Sequence, residues 1–400
     1  MQKKYNTIIV GGGASGLLTA VELLKGKGAL NGNEVLILER NDRVGKKLIA
    51  TGNGQGNLMN EKFGQEFYHG DKAFIEQFVA NAKQVDLKGY LEEIGIFTCA
   101  GKDGKVYPLS KQASSVLDSI RAFLAYKNCT ILTGKKVGKI IKKNGEFEIS
   151  VGVEKFSAKN VVLATGGSAG KQFGTDGSSY VLAENFGHKT TELYPSLVQL
   201  KTETALIKGL KGIKETARVT AFVERKPLMT AEGDLLFTDF GVSGSTIFSL
   251  SASVIGKKNA YLIVEFLPNL TFGQTEKIIE SRLQIPYLTK EDLLCGVLNK
   301  KVGQTIIKNA KSLSASDIAY SIKNFKLSVL GSLDFNYAQV TRGGIKTDKI
   351  DGAYQSKLAE NLYIVGEMLN VDGDCGGYNL TFAFISGILC AKNIKNKKGE

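Results

Sequence analysis

Disulfide chemistry has little to work with in this chain. Its 400 residues include five cysteines, Cys99, Cys129, Cys295, Cys375 and Cys390, odd in number and without a CxxC pair. That scatter argues against a disulfide framework or a zinc site and for a reducing compartment, so no metal site is expected. Long apolar runs are missing too. None approaches the 18 or so residues that would read as a membrane span. The opening MQKKYNTIIV enters a strand within a few residues, which predicts no signal peptide. A cytoplasmic location and no membrane partner are therefore expected. Acid is short relative to base, 39 against 52, for a net charge of +13. Lysines spread over solvated faces would explain that, and so would an anionic partner such as RNA.

Glycine is plentiful, and its placement is informative. In Tyr5–Arg40 an apolar β-branched run, Ile8-Ile9-Val10, reads as a buried strand. Gly11, Gly13 and Gly16 follow in the spacing GxGxxG, then the helical pattern Leu17, Leu18, Ala20, Val21, Leu24. A second strand, 34–38, ends at Glu39. Gly11 permits the tight turn, Gly13 lets backbone approach a pyrophosphate, and Gly16 lets helix and strand pack closely. The helix start, with Ala14 and Ser15, offers N–H groups and a positive dipole end. Glu39 stands 23 residues past Gly16, where a ribose-binding acid is expected. Together these features predict a dinucleotide site.

Residues 41–60 are rich in Gly and Asn and predict an extended loop lying on a ligand, with Lys46 and Lys47 facing phosphate. Helical periodicity follows from Phe74 to Ile94 and from Ala113 to Tyr126. Asn144-Gly145 centres a hairpin. A strand from Phe156 ends in Ala164-Thr165-Gly166-Gly167. A βαβ unit, a small meander and an ATGG strand end resemble the flavoproteins with two dinucleotide-binding domains. That favours FAD over NAD.

Residues 192–340 read as an insertion. Strands are expected at 217–224, 235–238 and 261–267, with a turn at Ala231–Asp234. A helical part opens at Thr289, which with Asp292 resembles an N-cap and its third residue. Basic residues gather here, at Lys208, Lys211, Lys214 and Arg218 and again at Lys300, Lys301, Lys308 and Lys323. Few local acids accompany them, which motivates RNA as a partner. The chain returns through an apolar strand ending Gly366-Glu367 to Asp372 and Gly376-Gly377-Tyr378-Asn379, then an apolar helix from Leu380. Gly-Gly ahead of a helix aims N–H groups at the electron-rich edge of a flavin. Asp372 or Glu367 would hold ribityl hydroxyls.

Nearly end to end, the chain resembles bacterial NAD(P)/FAD-dependent oxidoreductases of the aminoacetone oxidase and 3-dehydro-bile-acid reductase type. The motifs that carry the likeness are Gly11–Gly16, Gly45–Asn60, Gly104–Pro108, Ala164–Gly167, Phe237–Ser245 and Val340–Gly387. The resemblance implies an α/β, Rossmann-like FAD-binding domain from residues 1–191 and 341–400. It also implies an inserted β-barrel-like substrate domain, 192–288 and 327–340, and a small helical domain, 289–326. Non-covalent FAD would be held by Gly11, Gly13, Ala14, Ser15, Glu39, Arg40, Lys47, Asn57 and Val137. Further contacts would be Ala164, Thr165, Gly166, Gly366, Glu367, Asp372, Gly376, Gly377, Tyr378, Asn379 and Leu380. Where this family has Arg-Cys-Asn, the chain has Gln55-Gly56-Asn57, and for Ser-Gly-Pro it has Ser243-Gly244-Ser245.

FAD would exchange a hydride with substrate, so the protein need only position substrate and supply a proton. Tyr378 and Cys375 are the expected donors, and His188 reads as a helix C-terminal cap. There is no second dinucleotide fingerprint, so NAD(P)H would bind transiently in the substrate cleft. Four activities stay open: reduction of a C=C bond in a small molecule, reduction of a uridine in ribosomal RNA, oxidation of a small amine, and flavin binding without turnover.

Overall fold

The computed structural model describes residues 3–101 and 103–399. Two compact units emerge, Met1–Leu193 with Val340–Glu400, and Tyr194–Gln339.

In the first unit the buried end of Lys3–Val10 lies inside a seven-stranded sheet. Val35–Leu38 runs parallel on one side, Ile9 opposite Ile37, and Thr130–Leu132 continues the sheet beyond it. On the other side lies Glu154–Leu163, with Ile9 opposite Val162. This long strand changes partner along its length. Residues 154–158 pair antiparallel with Glu146–Val151, while 161–163 pair parallel with Leu362–Ile364. The expected hairpin is present, with Asn144 and Gly145 both at positive φ, as a two-residue type I′ turn requires.

The first helix, Ala14–Leu23, buries nine of its ten residues, more than one apolar stripe would need. Its second cover is the C-terminal helix Tyr378–Gly399. Their backbones approach closely at Gly387, where a methyl group would lie 2.5 Å from the Ser15 carbonyl. Lys395 seals the contact by pairing with Glu22 at 2.5 Å.

Two local expectations are corrected here. Residues 41–60 are not extended. They coil into a short helix, Lys46–Ile49, and a tight turn with Gly52, Asn53, Gly54 and Gly56 at positive φ, where three glycines remove the Cβ penalty. Phe74 to Ile94 is two helices, Lys72–Ala82 and Leu87–Glu92, because Asp86 caps a fresh start by accepting from the Gly89 N–H.

The second unit is built on a closed antiparallel barrel. Its order is Leu200–Thr202, Gly241–Ser243, Lys226–Phe237, Lys214–Val223, Ala260–Phe266, Phe325–Ser332 and back to the first. No turn falls at Ala231–Asp234. Those residues continue one strand, and the chain reverses at Glu224-Arg225, both at positive φ. Neither is a usual residue for that geometry, so sequence pattern missed it. A helix with a Thr271/Gln274 capping box, Phe272–Leu283, also went unread, whereas Thr289 and Asp292 close turns rather than a helix. The expected separate helical domain shares a core with the barrel. Ile279, Ile306, Ile318 and Ile322 are buried in one cluster with Leu262, Val264 and Leu327.

Among the described residues no helix is long and apolar enough to cross a membrane. None of the described His, Cys, Asp and Glu residues form a group that could hold a metal.

Candidate active site

The glycine turn comes first, because every other contact is built around it. Gly11, at φ +109, donates to the Leu38 carbonyl, and a methyl group on it would meet the Ala164 carbonyl at 2.4 Å. Ala164 in turn donates to Val10, so the two glycine-bearing strand ends are stitched together. Gly16 lies against Gly11, where a methyl would come to 2.0 Å of its carbonyl oxygen. Gly13 is different. A methyl there meets nothing within 4 Å, and no side chain caps the helix that Gly13 opens. An open cradle before free helical N–H groups is what a pyrophosphate requires.

Glu39 is buried. Its two carboxylate oxygens accept from the Gly12 N–H at 2.8 Å and the Asn41 N–H at 2.7 Å. The carboxylate is fixed beside the turn with lone pairs to spare for a ribose diol. Arg40 instead pairs with Asp176 at 2.9 Å and reaches Ser178. Burial works to raise the Asp176 carboxyl, but Arg40 and Ser178 hold it well below the usual range. Val137 is buried in the core of this unit.

The carboxy-terminal motif adjoins the same turn. Gly366, at φ +66, donates to Ser386 Oγ, and a methyl on it would crowd Ser15 Oγ at 2.5 Å. Thr165 donates to the Met368 sulfur, and Gly166 turns at φ +74. Glu367 accepts from the Thr341 N–H at 2.9 Å and from Lys47 at 2.6 Å. Lys47 is thus held by an acid and by the Ala169 carbonyl, where the sequence had it facing phosphate. Asn379 clasps the turn from within, accepting from the Gly373 N–H and donating to the Gly373 carbonyl. Asn57 closes it from outside: with its amide set by its neighbours, the oxygen accepts from Gly377 and the nitrogen donates to Met59. Gly376 and Gly377, at φ +141 and +102, admit no side chain, since a methyl on Gly377 would strike the Met59 carbonyl at 2.5 Å. Leu380 is half-buried against the core.

The structure places four of the expected residues as follows. Tyr378 packs: its ring stacks on Phe67 at 4.5 Å and meets the edge of Tyr68, and burial pushes its hydroxyl up to about 12. Burial also raises the Cys375 thiol, against the pull of Lys105. Both groups therefore stay protonated near neutrality. Asp372 is tied up with Arg342 at 3.3 Å rather than set aside for a hydroxyl, and its burial raises the carboxyl while Arg342 opposes. His188 is no helix cap. It is buried, with Nε2 2.8 Å from Ser356 Oγ.

One group escaped the sequence altogether. His69 lies 2.8 Å from Asp374, 305 residues away, and no local pattern marks that contact. The basic stretches of the second unit also change character. Lys211, Lys214 and Lys300 pair with Asp239, Asp234 and Asp292, Arg218 with Glu232, and Lys323 with Glu265. The acids come from neighbouring strands and turns, which a linear count overlooks.

A family model described as HI0933-like protein Rossmann domain matches residues 5–393. The chain belongs to the HI0933-like family. A 3-dehydro-bile acid delta(4,6)-reductase of Clostridium scindens is 32% identical over 96% of this chain and 97% of its own. A ribosomal RNA dihydrouridine synthase of Haemophilus influenzae is 25% identical over 99% of this chain and its whole length. Among solved structures, a 3-ketosteroid delta1-dehydrogenase of Sterolibacterium denitrificans superposes with a TM-score of 0.52, covering 99% of this chain and 100% of that one at 13% identity. That last likeness shows the fold: a Rossmann-like FAD-binding domain. With a named reductase 32% identical along nearly the whole chain, the chain is an FAD-dependent oxidoreductase.

Proposed function

We propose that this oxidoreductase reduces a C=C bond conjugated to a carbonyl in a small, largely apolar molecule, with NAD(P)H as a transient electron donor. The observation that carries this reading is the 32% identity, along nearly the whole of both chains, to a protein named as a 3-dehydro-bile acid delta(4,6)-reductase. FAD would supply the hydride exchange. The residues present fit that group: Gly13 and the first-helix N–H groups for its pyrophosphate, Glu39 for the adenosine ribose, and the Gly376-Gly377 turn for the flavin edge. The Lys47–Glu367 pair and Asn57 would brace the turns on which it lies.

A ribosomal RNA reading follows from the names of more distant relatives and has one local feature in its favour. On the barrel, Phe222 and Tyr261 stack at 5.1 Å with Lys326 4.2 Å above Tyr261, a small platform suited to a base. The pairing of Lys211, Lys214, Arg218, Lys300 and Lys323 with acids weighs against it, since paired cations release few counterions on binding.

The test is anaerobic bleaching of the purified flavoprotein by NADH or NADPH, followed by reoxidation. Reoxidation by a conjugated steroid dienone, and not by an rRNA fragment or by amine-derived imines, is the expected result. Reoxidation by the rRNA fragment alone would replace the first reading with the second. No bleaching by either nicotinamide would remove NAD(P)H as donor.

A further inference from the structure

Reduction of a C=C bond takes up a hydride and a proton, and Tyr378 is buried, with its ring packed between Phe67 and Tyr68. His69 is placed to give the proton. It sits on the short strand Tyr68–Gly70, paired antiparallel with Val371–Gly373, directly opposite Asp372. Its Nε2 is 2.8 Å from Asp374 Oδ1. An acceptor-only carboxylate at that distance fixes the proton on Nε2 and aims the ring, leaving Nδ1 to exchange with a ligand. Nδ1 has no hydrogen-bond partner among the described residues. About a third of the side chain is exposed, at 35%.

That exposure opens into a cavity of about 670 Å³ bordered by His69, Gln65, Ile75, Arg342, Asn370 and Asp372. The volume lies in the range of small-molecule sites. Charge around the ring is mixed: Asp372 and Asp374 from the facing segment, Arg342 paired to Asp372, and Glu66 and Lys72 from the histidine's own side. Such a wall suits a neutral carbonyl compound better than a polyanion. The facing strand, Val371–Gly373, runs without a break into the Gly376-Gly377 turn assigned to the flavin edge.

We propose that His69 is the proton-carrying catalytic residue of this cavity, exchanging a proton at Nδ1 with a conjugated carbonyl substrate, and that Asp374 is its positioning residue. This rests on the reductase reading above. Reduced flavin would supply the hydride for one C–H bond at the β-carbon as the C=C π bond breaks, which leaves an enolate. The N–H bond of protonated His69 then breaks as an O–H bond forms at the enolate oxygen; the enol exchanges that proton for one at the α-carbon through water, and the neutral imidazole regains its proton from water.

The experiment uses the flavin-loaded protein and 4-nitrophenol, whose oxygen mimics the enolate that such a reduction builds. Its dissociation constant is measured by calorimetry and its ionisation by difference spectrum, with 4-nitroanisole, which has no proton to give, as control. The wild-type chain is expected to bind the phenol in its ionised form and in preference to the anisole. His69→Phe should weaken the phenol roughly tenfold to a hundredfold, leave the anisole unchanged and abolish the ionised band. Asp374→Asn should keep binding but shift the bound phenol toward its neutral form. Flavin absorbance in each variant reports an intact fold and cofactor site. Unchanged phenol affinity and ionisation in His69→Phe, with flavin retained, would overturn the proposal. The binding arm involves no turnover, so it decides the histidine's role even where NAD(P)H fails to bleach the flavin.

Discussion

Lys47 donates to Glu367 at 2.6 Å across 320 residues of sequence. The pair joins the Gly/Asn-rich turn after the second strand to the motif that precedes the last helix, and both side chains are mostly buried, 24% and 19% exposed. Removing one partner leaves the other a charge without its counterion. Lys47→Met is expected to cost about 1–3 kcal/mol in urea unfolding. A double-mutant cycle with Glu367→Gln should show coupling of about 0.5–3 kcal/mol. Simple additivity would mean that the two turns are held together by something else.

The glycines of the first turn should separate folding from cofactor binding. Gly13 has an ordinary φ of −84° and open space around it, so Gly13→Ala should change stability by no more than about 1 kcal/mol. It should nonetheless strip the protein of its yellow colour. Gly16→Ala drives a methyl into the Gly11 carbonyl and should destabilise by about 1–3 kcal/mol. Thermal melts of the two variants, with flavin content read alongside, make the comparison. Equal flavin loss with equal destabilisation would point to a purely structural turn.

Glu22 and Lys395 form the most enclosed ion pair between the two ends of the chain, with side chains 7% and 9% exposed. Lys395→Met leaves a carboxylate in the core and is expected to cost about 3–5 kcal/mol. Replacing both, with Glu22→Leu, should recover most of that loss. Denaturant midpoints at constant slope provide the measurement.

Acid should unsettle the chain through His188. Burial pushes its imidazole below the usual range, with Asp348 acting weakly the other way, and Nδ1 has no partner. The unfolded chain, titrating near about 6.5, therefore takes up this proton before the folded one does. Stability from this residue is full above about pH 6.5 and declines as the pH falls below it. His188→Gln should flatten the dependence of the melting temperature between about pH 7 and 5. An unaltered slope would assign the acid sensitivity to other groups.

What could be read from the sequence was whatever depends on neighbours along the chain. GxGxxG, the ATGG strand end and Gly376-Gly377 each demand a backbone conformation that glycine alone supplies readily, so the residues announce the turn. Asn144-Gly145 did the same for its hairpin, and Glu224-Arg225, which adopts comparable angles without the usual residues, did not. Contacts made across the fold left no local trace. His69 with Asp374 and Arg342 with Asp372 depend on how distant strands are placed, and Lys323 with Glu265 on how a helix packs against a strand. Tyr378 shows the converse error: a polar tip in a glycine turn suggests chemistry, while the ring was claimed by Phe67 and Tyr68.

The strand Leu362–Ile364 is the last to join the sheet, and it docks on residues made some 200 positions earlier. On the ribosome, then, the early βαβ segment must wait, one flank of its sheet edge uncovered, while the whole barrel is synthesised and emerges. Only when the final helix clears the exit tunnel does the first helix gain its second cover. Nascent chains halted before that point should be chaperone clients and easy targets for proteases, and the passage from vulnerable to resistant should coincide with the emergence of Tyr378–Gly399 rather than precede it.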